Sequence, residues 1–108
     1  MRITISARHC EVTDALRERA RSIAARLAEL SPHALDATVV FDAAPLLHAV
    51  ELRLHARGRK MLIGVGQGSD HRTALDRAEA KLRVQLMKAG KLRQQSRRVA
   101  SRPRARST

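Results

Sequence analysis

VELRLHARGRKMLIGVG, residues 50–66, is the stretch from which the fold can be read. In its first half Val50, Leu52, Leu54 and Ala56 alternate with Glu51, Arg53, His55 and Arg57. That is the period of a strand with one face on a core and the other in water. The Arg57-Gly58-Arg59 corner has the composition of a hairpin turn, and a second strand returns through Lys60 to Gly66. On that strand Met61, Ile63 and Val65 compete with Leu62, Gly64 and Gly66 for the inner face. The glycines are expected inward, where the lack of side chains lets a helix approach the sheet closely. Met61, Ile63 and Val65 then form a small apolar strip outside.

Working outward toward the N-terminus, Ala37 to Phe41 reads as a short β-branched strand, and Pro45 breaks the chain before the hairpin. Ile3, Ile5 and Ala7 alternate with Thr4, Ser6 and Arg8, which gives a first strand at the start of the chain. Between these two strands, Thr13 is a candidate N-cap with Asp14 in the first turn, and Leu16, Ala20, Ile23, Leu27 and Leu30 recur at helical spacing. The helix is expected from about Asp14 to Leu30, closed by Ser31-Pro32. Beyond Gly68, Ser69 or Asp70 can cap a second helix whose buried stripe is Leu75, Ala78, Leu82 and Leu86. At about 100° per residue, Arg77, Lys81, Lys88 and Lys91 project roughly opposite that stripe.

The expected fold class is therefore α+β, in the order β-α-β-β-β-α: a four-stranded sheet with two helices on one face. The first two strands, joined through a helix, can be parallel, and the hairpin-linked strands are antiparallel. Periodicity stops at Gln94, and Arg, Ser, Pro and Ala dominate the rest. Residues 1–93 are read as the domain and residues 94–108 as a disordered basic tail.

Charge is concentrated at one end. The 108 residues carry a net charge of +12, yet residues 77–108 hold eleven Lys or Arg against one acid, Glu79, while residues 1–76 hold eleven against nine. Charges on an exposed helix face ordinarily serve solubility. A near absence of acids argues instead for a phosphate-rich partner. With Phe41 the only aromatic residue, ring stacking on bases is not available, so structured RNA read by shape and backbone fits better than single strands. One cysteine, Cys10, excludes an intramolecular disulfide and any multi-cysteine metal site. No apolar run approaches the ~20 residues of a membrane span, and the chain opens on a strand pattern rather than a signal peptide. A cytoplasmic protein without membrane contact is expected.

Other patterns carry less. Gly64-Val65-Gly66-Gln67-Gly68 imitates a phosphate-cradling loop, but its spacing is G-x-G-x-G and no Walker lysine follows. His9-Cys10-Glu11 is adjacency in sequence, not triad geometry. His48 and His55 are separated by an odd number on one strand and cannot share a metal. His33 and His71, near helix ends, are expected at the surface. No cofactor, catalytic residue or small-molecule substrate is expected.

Arg8, then Val12-Thr13-Asp14-Ala15-Leu16-Arg17, then Asp70 followed by Ala74-Leu75-Asp76, and finally Lys81-Leu82-Arg83-x-Gln85-Leu86-x-Lys88 resemble the short ribosome hibernation-promoting factor and ribosome-associated inhibitor family. The likeness spans about residues 1–93, and that family's fold is similar to a double-stranded-RNA-binding domain. The chain departs at Arg72, where an aromatic residue is frequent, at His9, where Asn is common, and at Ile23, often Lys. The resemblance implies a non-enzymatic protein that binds the small ribosomal subunit and its rRNA. It would occupy the channel of messenger and transfer RNA and silence idle ribosomes under stress or in stationary phase. The matched basic positions are Arg8, Arg17, Lys81, Arg83 and Lys88; Arg77 and Lys91 join them by helix position. The free protein is expected to be a monomer, and pairing of ribosomes through an additional C-terminal dimerisation domain is not expected. A general double-stranded-RNA or nucleoid-DNA binding module would share the charge but not the helix pattern.

Overall fold

A computed structural model describes residues 1–31, 33–58 and 60–101, with side chains through Ala89. The element order is β1 (Arg2–Arg8), α1 (Asp14–Glu29), β2 (Ala34–Ala44), β3 (Leu47–Ala56), β4 (Lys60–Gly68) and α2 (His71–Ser101). The strands form one sheet in the order β1-β2-β3-β4. β1 is parallel to β2, and the other pairs are antiparallel. This is the expected α+β architecture.

Local chemistry sets the element ends. Thr13 caps α1, its Oγ1 accepting from the Leu16 N–H at 3.2 Å. The Leu30 N–H donates to the Leu27 carbonyl at 3.0 Å, which closes the last turn one residue before the expected end. At α2 it is Asp70 that caps, accepting from the Thr73 N–H at 2.7 Å. In the turn between β3 and β4, Gly58 has φ +85°, a conformation that L side chains disfavour. β2 is longer than expected, because Ala34 to Asp36 and Asp42 to Ala44 continue the ladder to β3. The α2 backbone passes the expected boundary at residue 93 and ends at Ser101, while the Lys91 side chain and residues 102–108 lie outside the described part.

Both helices cover one face of the sheet. Val39, Phe41, Val50, Leu52 and Leu54 from the strands meet Ala20, Ile23 and Leu27 of α1 and Leu75, Leu82 and Leu86 of α2 in one core. Burial of each large side chain stabilises the fold by roughly 1.5–3 kcal/mol. On β4 the glycines do face inward, and Met61, Ile63 and Val65 are exposed. The reason is steric. A Cβ on Gly64 would lie 2.6 Å from the Ala78 carbonyl oxygen and 2.8 Å from the Leu82 nitrogen, and one on Gly66 would overlap the backbone at Ala74 and Ala78. At Gly68 the nearest atom is the Thr73 side chain, at 2.9 Å, which can move.

Gly66→Ala is therefore expected to destabilise the fold by about 1–3 kcal/mol or more, since helix backbone cannot yield as a side chain can. Val65→Ala, one residue away on the exposed face, should change stability by less than about 0.5 kcal/mol. Urea midpoints at unchanged m-value measure both. Similar midpoints for the two variants would contradict the close β4–α2 contact.

Candidate nucleic-acid interface

The buried stripe of α2, Ala74, Leu75, Ala78, Leu82 and Leu86, fixes the helix's rotation and hence where its cations point. Arg77, Lys81 and Lys88 are exposed on the flank that overlooks the open edge of β4. The Arg77 guanidinium donates to the Gln67 carbonyl at 2.7 Å, and the Gln85 amide donates to the Ile63 carbonyl at 2.5 Å. These two bonds tie the helix to the edge strand. Val65, Gln67, Arg77, Ala80 and Lys81 line a shallow groove there. Among the described residues, no carboxylate lies within 4.0 Å of the cationic groups of Arg77, Lys81 or Lys88. The three cations occupy this flank rather than the crest directly opposite the stripe, which carries Ala80, Val84 and Met87.

The other flank of α2 meets α1 in a seam of ion pairs. Arg19 donates to Asp76 at 2.8 Å, and Glu79 faces Arg83 at 3.0 Å and Arg26 at 3.7 Å. The hydrogen bond that Arg19 donates to Asp76, and then the charge of that carboxylate, raise the pKa of Arg19. Both acids of α2 are thereby turned away from the β4 flank. Glu79 and Arg83 sit four apart on one helix, a pair that sequence shows. Arg19 with Asp76 and Arg26 with Glu79 join two helices, and sequence reasoning missed them because no local period relates those positions. Arg83, a candidate contact residue, thus belongs to this seam and shares Glu79 with Arg26.

Arg8 and Arg17 stand apart from both flanks. Arg8 ends β1 on the outer sheet face, in register with Asp42. Asp42 is held below the ordinary carboxylate range by the His9 ring at 3.2 Å and the Ala43 N–H at 2.8 Å, with Arg8 adding a smaller effect. His9 has φ 59°, the left-handed region. Arg17 is half-buried on α1, about 200° around the axis from Arg19, and so lies on the side away from α2. The described sequence candidates therefore fall in four places: the β4 flank, the interhelical seam, Arg8 and Arg17.

The remaining patterns resolve as structure. α2 backbone fills the space over Gly64 and Gly66, so the glycine-rich run cradles no phosphate. His71 is not a surface residue as expected: it is half-buried, its Nε2 lies 2.9 Å from the Asp42 carbonyl, and its ring meets Phe41 and His48 edge-on at 5.4 and 4.5 Å. His55 faces the other way, toward Asp36 at 3.3 Å. Among the described residues no group of three His, Cys, Asp or Glu could hold a metal ion, and no helix is long and apolar enough to cross a membrane.

Residues 3–94 match the family described as Sigma 54 modulation protein / S30EA ribosomal protein. The crystal structure of the N-terminal domain of Protein Y from Thermus thermophilus is similar at TM-score 0.69 and 29% identity, over 80% of this chain and 96% of that one. A ribosomal subunit interface protein from Coxiella burnetii is similar at TM-score 0.72 and 20% identity, over 83% of this chain and 98% of that one; at that identity the likeness is one of fold. No curated protein matches the sequence.

Two hydrogen-bonded carboxylates, one of them the α2 cap, make stability depend on pH with a definite sign. Asp70 is lowered by the backbone and side-chain hydrogen bonds of Thr73, and Asp42 by His9 and Ala43. Below the ordinary Asp value of about 3.9 the unfolded chain binds these protons before the folded chain does. Their contribution is full above that value and lost as pH falls through the depressed folded values. Asp70→Asn keeps the capping oxygen and should flatten this acid limb while changing the neutral-pH urea midpoint little. Asp70→Ala should lower the neutral midpoint as well. An acid limb identical to wild type in Asp70→Asn would show that the cap does not titrate this way.

Proposed function

We propose that this chain, which belongs to the Sigma 54 modulation protein / S30EA ribosomal protein family, binds the small ribosomal subunit through rRNA and silences idle ribosomes by filling the channel of messenger and transfer RNA. Membership makes it a ribosome-associated modulation factor and not an enzyme. Association with ribosomes places it in the cytoplasm. The observation that carries the finer reading is the α2 flank. Arg77, Lys81 and Lys88 are fixed on a packed helix and exposed, while both acids of that helix are engaged by arginines in the seam.

The action is steric occlusion, with no reaction. Each cation that displaces a condensed counterion adds about 0.7–0.9 to the slope of log affinity against log salt. Several such contacts hold a rigid domain on RNA without any base being read. Arg8 and Arg17 extend the contact beyond α2, and Arg83 adds to it where Arg26 shares its acid partner. The domain of residues 1–93 binds as a monomer, under stress or in stationary phase, and the arginines of residues 94–108 add non-specific attraction.

The test is sedimentation of purified protein with small subunits at physiological salt, with transfer RNA as competitor. Lys81→Glu with Lys88→Glu is expected to weaken binding by at least about a hundredfold, with a melting temperature within a few degrees of wild type. Equal affinity of the wild type for arbitrary RNA or DNA duplexes would favour a general nucleic-acid module instead. Removing residues 94–108 should leave the fold intact and reduce affinity mainly at low salt, where screening is weakest. Loss of folding in that truncation would place the tail within the domain.

A further inference from the structure

The crest of α2 carries apolar side chains where a merely solvated helix would carry charge. Val84 and Met87 are 51% and 63% exposed, and Ala80 is exposed one turn earlier. Spacings of four and three set these residues in one strip, about 10 Å long at 1.5 Å per residue. Arg77, Lys81 and Lys88 stand on one side of the strip. Arg83 stands on the other, with Arg26 of α1 behind it across Glu79. The strip contributes nothing to the core, whose stripe lies on the opposite face of the helix. Nor does a short apolar ridge between cations suit the centre of a protein–protein interface, where Lys is depleted.

Folded RNA offers the complementary pattern: phosphate strands on either side of a wide, shallow minor groove floored by ribose and base edges. We propose that the Ala80-Val84-Met87 crest is a contact surface for the ribose and base faces of folded RNA, seated between phosphates that the flanking cations hold. This rests on the ribosome-binding reading above and assigns its salt-independent part. The chain has no Trp or Tyr and its one Phe, Phe41, is buried, so the apolar contact offered by the α2 crest is aliphatic. Val84 and Met87 are the large exposed apolar side chains that its described part offers. The cations act through counterion release, which weakens as salt rises, whereas the crest acts through dispersion and desolvation, which do not. The two contributions are therefore separable by experiment.

The experiment compares wild type, V84A/M87A and K81Q/K88Q on two probes across a salt series: purified small ribosomal subunits and protein-free small-subunit rRNA. Alanine preserves helix propensity, and both crest positions are exposed, so melting of V84A/M87A should match wild type. V84A/M87A is expected to bind both probes about tenfold more weakly at every salt concentration, with an unchanged slope. K81Q/K88Q is expected to reduce the slope by about 1.5. Wild-type affinity in V84A/M87A overturns the inference and leaves ribosome binding standing. A loss on subunits but not on protein-free rRNA gives the crest to a ribosomal protein and also overturns it. Failure of the wild type to bind either probe removes the ribosome-binding reading and the crest contact with it.

Discussion

The contact between bare glycine backbone on β4 and the backbone of α2 is the constraint on which the rest of the molecule depends. Gly64 and Gly66 bring the helix so close to the strand that even a methyl group has no room between them. Such proximity fixes the rotation of α2 as well as its distance. Once Ala74, Ala78 and Leu82 are committed to the sheet, the angular positions of Arg77, Lys81, Asp76, Glu79 and Arg83 follow without further choice. Arg77 and Gln85 then reach carbonyls at the edge of β4, so the same helix that supplies cations also occupies hydrogen-bonding groups that an edge strand would otherwise present.

Electrostatic asymmetry follows from that rotation. α2 has acids and bases, and both acids lie on the α1 flank, with Arg83 beside them, whereas Arg77, Lys81 and Lys88 lie toward β4 and solvent. Surface ion pairs like Arg19 with Asp76 stabilise a fold only slightly. Their larger effect here is on the field outside. Engaging Asp76 and Glu79 in the seam removes the carboxylates that would oppose a phosphate on the other flank. The helix can thus be locally neutral on one side and strongly positive on the other, although the whole chain has a high positive charge.

The sheet and helix order was legible because it rests on period alone. Val50 to Ala56 alternates, the α1 and α2 stripes repeat at helical spacing, and Thr13, Asp70 and Gly58 punctuate the elements with ordinary capping and turn chemistry. The inward glycines were legible too, since only a glycine face explains both a strand and a helix packed tightly upon it. What period could not show was which non-local pairs form. His71 lies near a helix end and reads as exposed, yet β2 and β3 bring Phe41, His48 and the Asp42 carbonyl to it. β2 outruns its β-branched run because Asp36 and Asp42 stand at outward positions, where polar side chains do not interrupt a ladder. The candidate cations likewise shared one helix wheel or one motif in sequence, while the fold divides them among the β4 flank, the interhelical seam, and the separate positions of Arg8 and Arg17.

A protein with one buried phenylalanine and no Trp or Tyr has few means of binding RNA tightly. It cannot gain the stacking energy on which single-strand readers rely. Rigidity compensates. Cations on a mobile segment lose conformational freedom when they engage phosphates, whereas cations on a helix packed against a sheet have already lost much of it on folding. Rigid spacing also discriminates by shape, since Arg77, Lys81 and Lys88 can meet phosphates together only where the RNA presents them at matching intervals. A folded ribosomal RNA surface is such a fixed array, and a flexible strand is not. Under the proposed binding to ribosomal RNA, the lack of Trp, Tyr or an exposed Phe, the glycine contact that immobilises α2 and the placing of its charges act as one physical design for occupying a structured site.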